Sequence, residues 1–265
     1  NKKLNWRGIP KLINDGGLLV QMLVSRTTDY HFVVYYFHSV RNVGVNSMDK
    51  NKLGIQYMEQ GKWEDAAKVF TEMIEENPND PVGFINFGNV LASMNDNQRA
   101  IKFFERAIEL DPEAATAYYG LGSIYYELDD LVKAKDQFEL AIKKGIETAD
   151  VMFMLGLCLL HLDQPKLALP YFQRSVELNP SDAEAQFHYG LALAGAEMYD
   201  MAIDAWNKTL EIDESHADAY FNLGVAYGGI KGDADKAIAY FEKAVEIQPD
   251  HILALNGLKQ MKELL

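Results

Sequence analysis

From residue 48 to residue 251 the large apolar side chains follow one rhythm, stated six times. Its marker is a glycine every 34 residues: Gly54, Gly88, Gly122, Gly156, Gly190 and Gly224. A large residue precedes each glycine (Leu53, Phe87, Leu121, Leu155, Tyr189, Leu223) and another follows three positions later (Tyr57, Leu91, Tyr125, Leu159, Leu193, Tyr227). Four positions before it stand Phe84, Tyr118, Met152, Gln186 and Tyr220 in five of the six units. Offsets of i, i+3, i+4 and i+7 predict an amphipathic helix with the glycine in the middle of its buried stripe. A second set of positions repeats downstream: Ala66, Ala100, Ala134, Ala168 and Ala202, each followed after four residues by Phe70, Phe104, Phe138, Phe172 or Trp206. This set predicts a second helix. Breakers such as Asn95-Asp96-Asn97 and Asp129-Asp130 separate the two helices, and Pro78, Pro112, Pro180 and Pro249 end four units. Proline stops a helix because it lacks the amide donor and clashes with the preceding turn. Each unit therefore reads helix, turn, helix. Pairing a glycine on one helix with an alanine on the other lets two backbones approach while the aromatic ring fills the space beside them.

Large residue, Leu-Gly, Tyr, then Ala, Phe, a small residue and Pro at a 34-residue interval resembles the tetratricopeptide repeat, in the form of short stand-alone proteins of bacterial type. The resemblance covers Ser47 to about Asp250 in six copies. It implies an all-α fold: a right-handed superhelical solenoid of six helix-turn-helix repeats, whose units fold by sharing one continuous core. The sixth unit carries one extra residue within Gly228-Gly229-Ile230-Lys231-Gly232, which moves its alanine and aromatic to Ala237 and Phe241 and reads as an enlarged turn between the helices. Pro170 falls inside a second helix, where a bend is expected. Residues 252–265 are expected to form a solvating cap helix that keeps Leu255 and Leu258 on the core stripe.

Residues 1–47 lie outside the rhythm. They hold six basic against two acidic side chains, so the net charge of −14 for the whole chain becomes −18 for the rest once this +4 is removed. The change of composition at Met48 reads as an upstream extension ahead of a start at that methionine. The apolar runs 16–24 and 30–40 are too short to span a bilayer and lack a leader-type cleavage pattern. The β-branched and aromatic content around Val33-Val34-Tyr35-Tyr36 predicts a two-stranded hairpin, marginal by itself.

Composition and spacing offer little chemistry. Cys158 sits among Leu155, Leu157, Leu159 and Leu160 as a packing residue, and a single cysteine agrees with a reducing, cytoplasmic setting. No pair of the six histidines has the HExxH spacing, and no serine or cysteine stands in a nucleophile motif. The glycines 228–232 lack the Lys-Ser/Thr of a phosphate loop, and Asp233 and Asp235 lack the later ligands of a calcium loop and serve as helix caps. No enzyme, cofactor or metal site is expected.

The first helices carry a second stripe that an ordinary surface helix would fill with polar residues. Three positions before each glycine stand Asn51, Ile85, Tyr119, Phe153, Phe187 and Phe221, and one position after it Ile55, Asn89, Ser123, Leu157, Leu191 and Val225. Between them lie Asn86, His188 and Asn222. The resemblance implies that these positions face the concave side of the solenoid and hold an extended peptide. Thirteen residues are the expected groove: Asn51, Ile85, Asn86, Asn89, Tyr119, Ser123, Phe153, Leu157, Phe187, His188, Leu191, Phe221 and Asn222. Asparagines grip a main chain through donor and acceptor together, and apolar pockets select anchors. Some relatives clamp a terminal carboxylate with basic residues, but Thr116 and Gly120 stand where the third helix would supply them. Asp150, Glu184 and Asp218 recur beside the stripe, favouring a basic or apolar partner segment. Nucleic acid is disfavoured by the acidic charge, and no membrane partner is expected. A homo-oligomeric assembly protein and a regulatory subunit of an enzyme complex are the alternatives to an adaptor.

Overall fold

The computed structural model describes residues 12–13, 18–27, 30–39 and 49–264. The proposed start at Met48 lies outside the described residues. Two compact units divide the chain, residues 1–124 and residues 125–265.

In the first unit, strands β1 (Leu12–Ile13), β2 (Leu18–Thr27) and β3 (Tyr30–Ser39) form an antiparallel sheet in that order, with Leu18 opposite Ser39 and Thr27 opposite Tyr30. The expected hairpin is thus present, with a short third strand added. Then come α1 (Lys50–Glu59), α2 (Trp63–Glu76), α3 (Pro81–Ser93), α4 (Asn97–Leu110) and the start of α5 (Ala115–Glu127). The second unit takes the end of α5, then α6 (Leu131–Lys143), α7 (Ala149–His161), α8 (Pro165–Leu178), α9 (Ala183–Gly195), α10 (Tyr199–Ile212), α11 (Ala217–Val225), α12 (Ala234–Ile247) and α13 (Ile252–Leu264). The repeat region is all-α, alternating first and second helices of the tetratricopeptide solenoid type.

The helix boundaries follow from side chains that satisfy otherwise orphaned amides. Asp80, Asp96, Asp130, Thr148, Asp182 and Asp233 each accept from an amide two or three residues on. The turn inside each unit uses a left-handed residue at one recurring point: Gly61 (φ 70°), Asn95 (60°), Asp129 (60°), Asp163 (58°), Glu197 (65°) and Gly232 (67°). The amide one residue later bonds back to the carbonyl of Tyr57, Leu91, Tyr125, Leu159 or Leu193, the six-to-one bond that closes a helix end, and in the sixth unit Asp233 reaches one residue further back, to Tyr227.

The core is the predicted one. Ala66, Ala100, Ala134, Ala168, Ala202 and Ala237 are fully buried, as are Phe70, Phe104, Phe138 and Phe172, with Trp206 and Phe241 nearly so. The glycines give these rings room. A Cβ built on Gly156 would stand 2.8 Å from Cε1 of Phe172, and one on Gly224 2.6 Å from Cε1 of Phe241. Phe104 lies between two such glycines, Gly88 of its own unit and Gly120 of the next first helix.

Two details differ from the sequence reading. The extra residue of the sixth unit does not enlarge the turn; it widens the last helical turn into a π-helix, Ala226–Lys231, ended by left-handed Gly232. A π-turn admits one added residue while the main chain stays hydrogen-bonded. Leu255 is 41% exposed, because among the described residues no further helix packs over that side of α13; Leu258 and Met261 instead meet the cluster around Phe241, and Ile252, Leu253 and Leu264 are exposed. The side of α13 expected to be solvating is therefore partly apolar.

Candidate functional site

The second stripe of the first helices is built in two parts, one in each unit. In the first unit, Asn86 of α3 is buried and its Nδ2 donates to Oδ1 of Asn51 on α1. Residues 35 apart in sequence are thereby tied across adjacent first helices. Ile85 and Asn89 of α3 and Ser123 of α5 are half-buried, and the Ser123 hydroxyl donates to the carbonyl of Tyr119 at 3.1 Å. The Tyr119 side chain is buried at 6% exposure.

In the second unit, the stripe runs over α7, α9 and α11. His188 of α9 is its centre. Its ring meets Phe153 edge-on (5.4 Å, 85°), Phe187 edge-on (5.3 Å, 86°) and Phe172 in a stack (6.1 Å, 27°). Gly120 and Gly257 hold the corresponding position in other units, each against the ring of the preceding second helix. His188 instead covers that ring. Its Nδ1–H donates to the Glu184 carbonyl at 2.9 Å, so Nε2 keeps the lone pair of the neutral ring. Burial among these rings holds His188 below the ordinary imidazole value, the carbonyl and carboxylate of Glu184 oppose that, and His161 and His216 add to it. Folding thus binds fewer protons at this site than the unfolded chain does. The stabilisation is present above the ordinary imidazole value of 6.5 and is lost as pH falls below it. Replacing His188 with Asn, which holds this position as Asn86 and Asn222, removes that response. Urea midpoints of the His188→Asn variant should fall less than those of the wild type between about pH 7.5 and about pH 5.5, where an unperturbed histidine changes charge.

Of the expected groove residues, Phe153, Leu191, His188, Phe221 and Asn222 are half-buried on α7, α9 and α11, and the exposed Val225 continues the stripe. Leu157 (7%) and Phe187 (8%) are buried, as Tyr119 is, so these three and Asn86 underlie the face and do not line it. Phe187 is covered by the ring of His216, 4.5 Å away. Asn222 donates through Nδ2 to the Asp218 carbonyl of its own helix at 2.8 Å.

Two histidines outside the expected groove complete the site. His216 caps α11 and His251 caps α13, each accepting at Nδ1 from the third amide of the helix, Ala219 and Ala254, at 3.2 Å. Both rings reach back to acidic residues of the preceding first helix. His251 Nε2–H donates to Asp218 at 3.1 Å, and His216 Nε2 lies 3.9 Å from Glu184. Two of the three recurring acids are thus faced by imidazoles, while Asp150 has a polar contact of its own. A sequence signal existed: His216 and His251 occupy the cap position held by Asp80, Thr148 and Asp182 in other units.

Reactive groups are pushed away from reactivity. Burial raises the Cys158 thiol to about 12 and the Tyr126 hydroxyl to about 12. Among the described residues no three His, Cys, Asp or Glu side chains are placed to hold a metal ion, and no helix is long and apolar enough to cross a membrane.

Family profiles match much of the repeat region: TPR repeat over residues 88–129, and tetratricopeptide repeat over 52–80, 116–144, 133–183, 153–214 and 217–251. The TPR repeat-containing protein YrrB of Bacillus subtilis (strain 168) is 49% identical over 39 residues, which are 15% of this chain and only 19% of that protein. The crystal structure of YrrB, described as a TPR protein with an unusual peptide-binding site, superposes with a TM-score of 0.70 at 48% identity, covering 73% of this chain and 99% of that one. The MamA protein superposes with a TM-score of 0.60 at 27% identity, over 64% of this chain and 92% of that one. PilF of Pseudomonas aeruginosa, at 19% identity and a TM-score of 0.66, shares the fold over 81% of this chain and 95% of its own. With its 34-residue glycine rhythm, its Gly–Phe packed helix pairs and these likenesses, the chain belongs to the tetratricopeptide repeat family.

Proposed function

We infer that this protein is a non-catalytic adaptor that binds an extended segment of a partner protein on the second stripe of its first helices. The observation that carries this reading is the half-buried run Phe153, His188, Leu191, Phe221 and Asn222, continued by the exposed Val225, on three successive first helices of the second unit. Apolar surface left partly open at regular intervals gives a peptide places to seat side chains. His188 and Asn222 supply hydrogen-bonding groups between them. The likeness to YrrB, a protein described as having a peptide-binding site, supports the reading. Glu184 and Asp218 beside the stripe suit a segment carrying basic as well as apolar side chains, in a cytoplasmic setting. Affinity capture from a lysate of the native cell, with wild type and a Phe153→Ala, Phe221→Ala variant of unchanged helical content, tests it. Partners held through this face should fall at least about tenfold in recovery, since two truncated apolar anchors are worth more than about 1.4 kcal/mol. Equal recovery of every partner would reject the reading.

A further inference from the structure

The second unit twice builds the same three-residue arrangement at the start of a first helix. Glu184, Phe187 and His216 form one, and Asp218, Phe221 and His251 the other. In each, one imidazole does three things. Its Nδ1 accepts the third amide of the helix it begins, its Nε2 side faces a carboxylate two positions into the preceding first helix, and its ring covers a phenylalanine of that helix, at 4.5 Å for Phe187 and 5.2 Å for Phe221. Asp80, Thr148 and Asp182 cap the corresponding helices without a titratable ring. The side chains of His216 and His251 are 9% and 7% exposed.

The cap bond dictates the protonation state. A ring that accepts an amide proton at Nδ1 carries its own proton on Nε2 and is neutral. A second proton would go onto Nδ1, replace the acceptor with a donor facing the amide, and place a cation at the positive end of a helix. The facing charges only partly compensate. Those facing His216 are Glu184 and, in its electrostatic range, His188, both on α9; that facing His251 is Asp218 on α11. The carboxylate side chains are 36% and 61% exposed, where an ion pair contributes little. For His216 the geometry holds a further sign of tension: Nε2 is buried without a hydrogen-bond partner, with Glu184 beyond bonding distance.

We propose that His216 and His251 are a pair of pH-sensitive latches. Neutral, they fasten the first turns of α11 and α13 onto the preceding first helices, α9 and α11, and cover Phe187 and Phe221; protonated, they release those turns and uncover the two rings. The device shares Phe221 with the face inferred to bind a partner, and it is tested on the free protein, so that its failure and the failure of that reading are distinguishable.

The test compares the full chain with a His216→Thr, His251→Thr variant, in which threonine caps as Thr148 does for α7. Amide hydrogen exchange by NMR, corrected for intrinsic rates, is followed at Ala219 and Ala254 between about pH 7.5 and about pH 5. Ala185, capped by Asp182, is the internal standard. In the wild type, protection of Ala219 and Ala254 relative to Ala185 should fall about fivefold or more on acidification, the worth of one lost cap, and the ring resonances of Phe187 and Phe221 should shift with it. In the threonine variant the ratio should hold. A constant ratio in the wild type, an equal fall in the variant, or loosened amides with unmoved rings would each overturn the proposal.

Discussion

Phe104→Ala is expected to be the most damaging single truncation in the first unit, lowering its unfolding free energy by about 3–5 kcal/mol. The ring is fully buried, and what surrounds it is unusual. Helical glycines face it from two sides, Gly88 on α3 and Gly120 on α5, so most of its neighbours there are backbone and cannot swing inward. A cavity bordered by flexible side chains collapses in part; one bordered by helix backbone stays open, and the cost stays near the top of the range. Urea unfolding followed by circular dichroism and by amide exchange in α3 and α4 reads the effect. Protection should drop in both helices, because each repeat is stabilised chiefly by its neighbours. A loss below about 1 kcal/mol would show that the helices close over the gap.

Gly156→Leu tests the same contact from the opposite direction and should cost about 2–3 kcal/mol through overpacking. Leucine is the better helix former by roughly 0.8 kcal/mol, so propensity alone predicts a gain. Contact decides against it. The first added carbon already falls 2.8–3.0 Å from three atoms of Phe172, a ring with no exposed surface, and that ring is backed by Phe153 at 5.9 Å and His188 at 6.1 Å. To admit the side chain, Phe172 must press into the face inferred to bind a partner. Thermal unfolding should show the lower midpoint, and the altered ring contacts should appear in the aromatic resonances of Phe153 and His188.

These two positions also explain why so much of the architecture was legible in advance. Gly88, Gly156 and Gly224 and the rings they face, Phe104, Phe172 and Phe241, are chosen by helix-to-helix distance, a requirement that recurs in each unit and therefore surfaces as a period in the sequence. The partner-facing positions obey no such repetition. Phe187 and Phe153 share one position in the period, yet Phe187 is buried and Phe153 half-buried, because His216 covers the former. The cap residue of the next unit contributes to this difference, and a cap reads as punctuation until its ring is placed. The π-turn hid the second copy as well. Counting 34 on from His216 leads to Asp250, whereas the structural counterpart is His251, displaced by the one residue that Ala226–Lys231 absorbs. Leu255 misled for a different reason: periodicity assigns a residue to a stripe but does not say whether anything lies against it.

The left-handed residue that closes every hairpin sets how much further this chain could be hardened. Glycine fills that point at Gly61 and Gly232, and short Asn or Asp at three others, residue types that tolerate it. Glu197 alone among the six brings a long acidic side chain to it, at φ 65°. The fifth hairpin thereby keeps a margin of roughly 0.5–1 kcal/mol that a Glu197→Gly exchange would release. For anyone engineering this scaffold, the first gain in robustness lies at a hairpin corner remote from both the core and the face offered to partners.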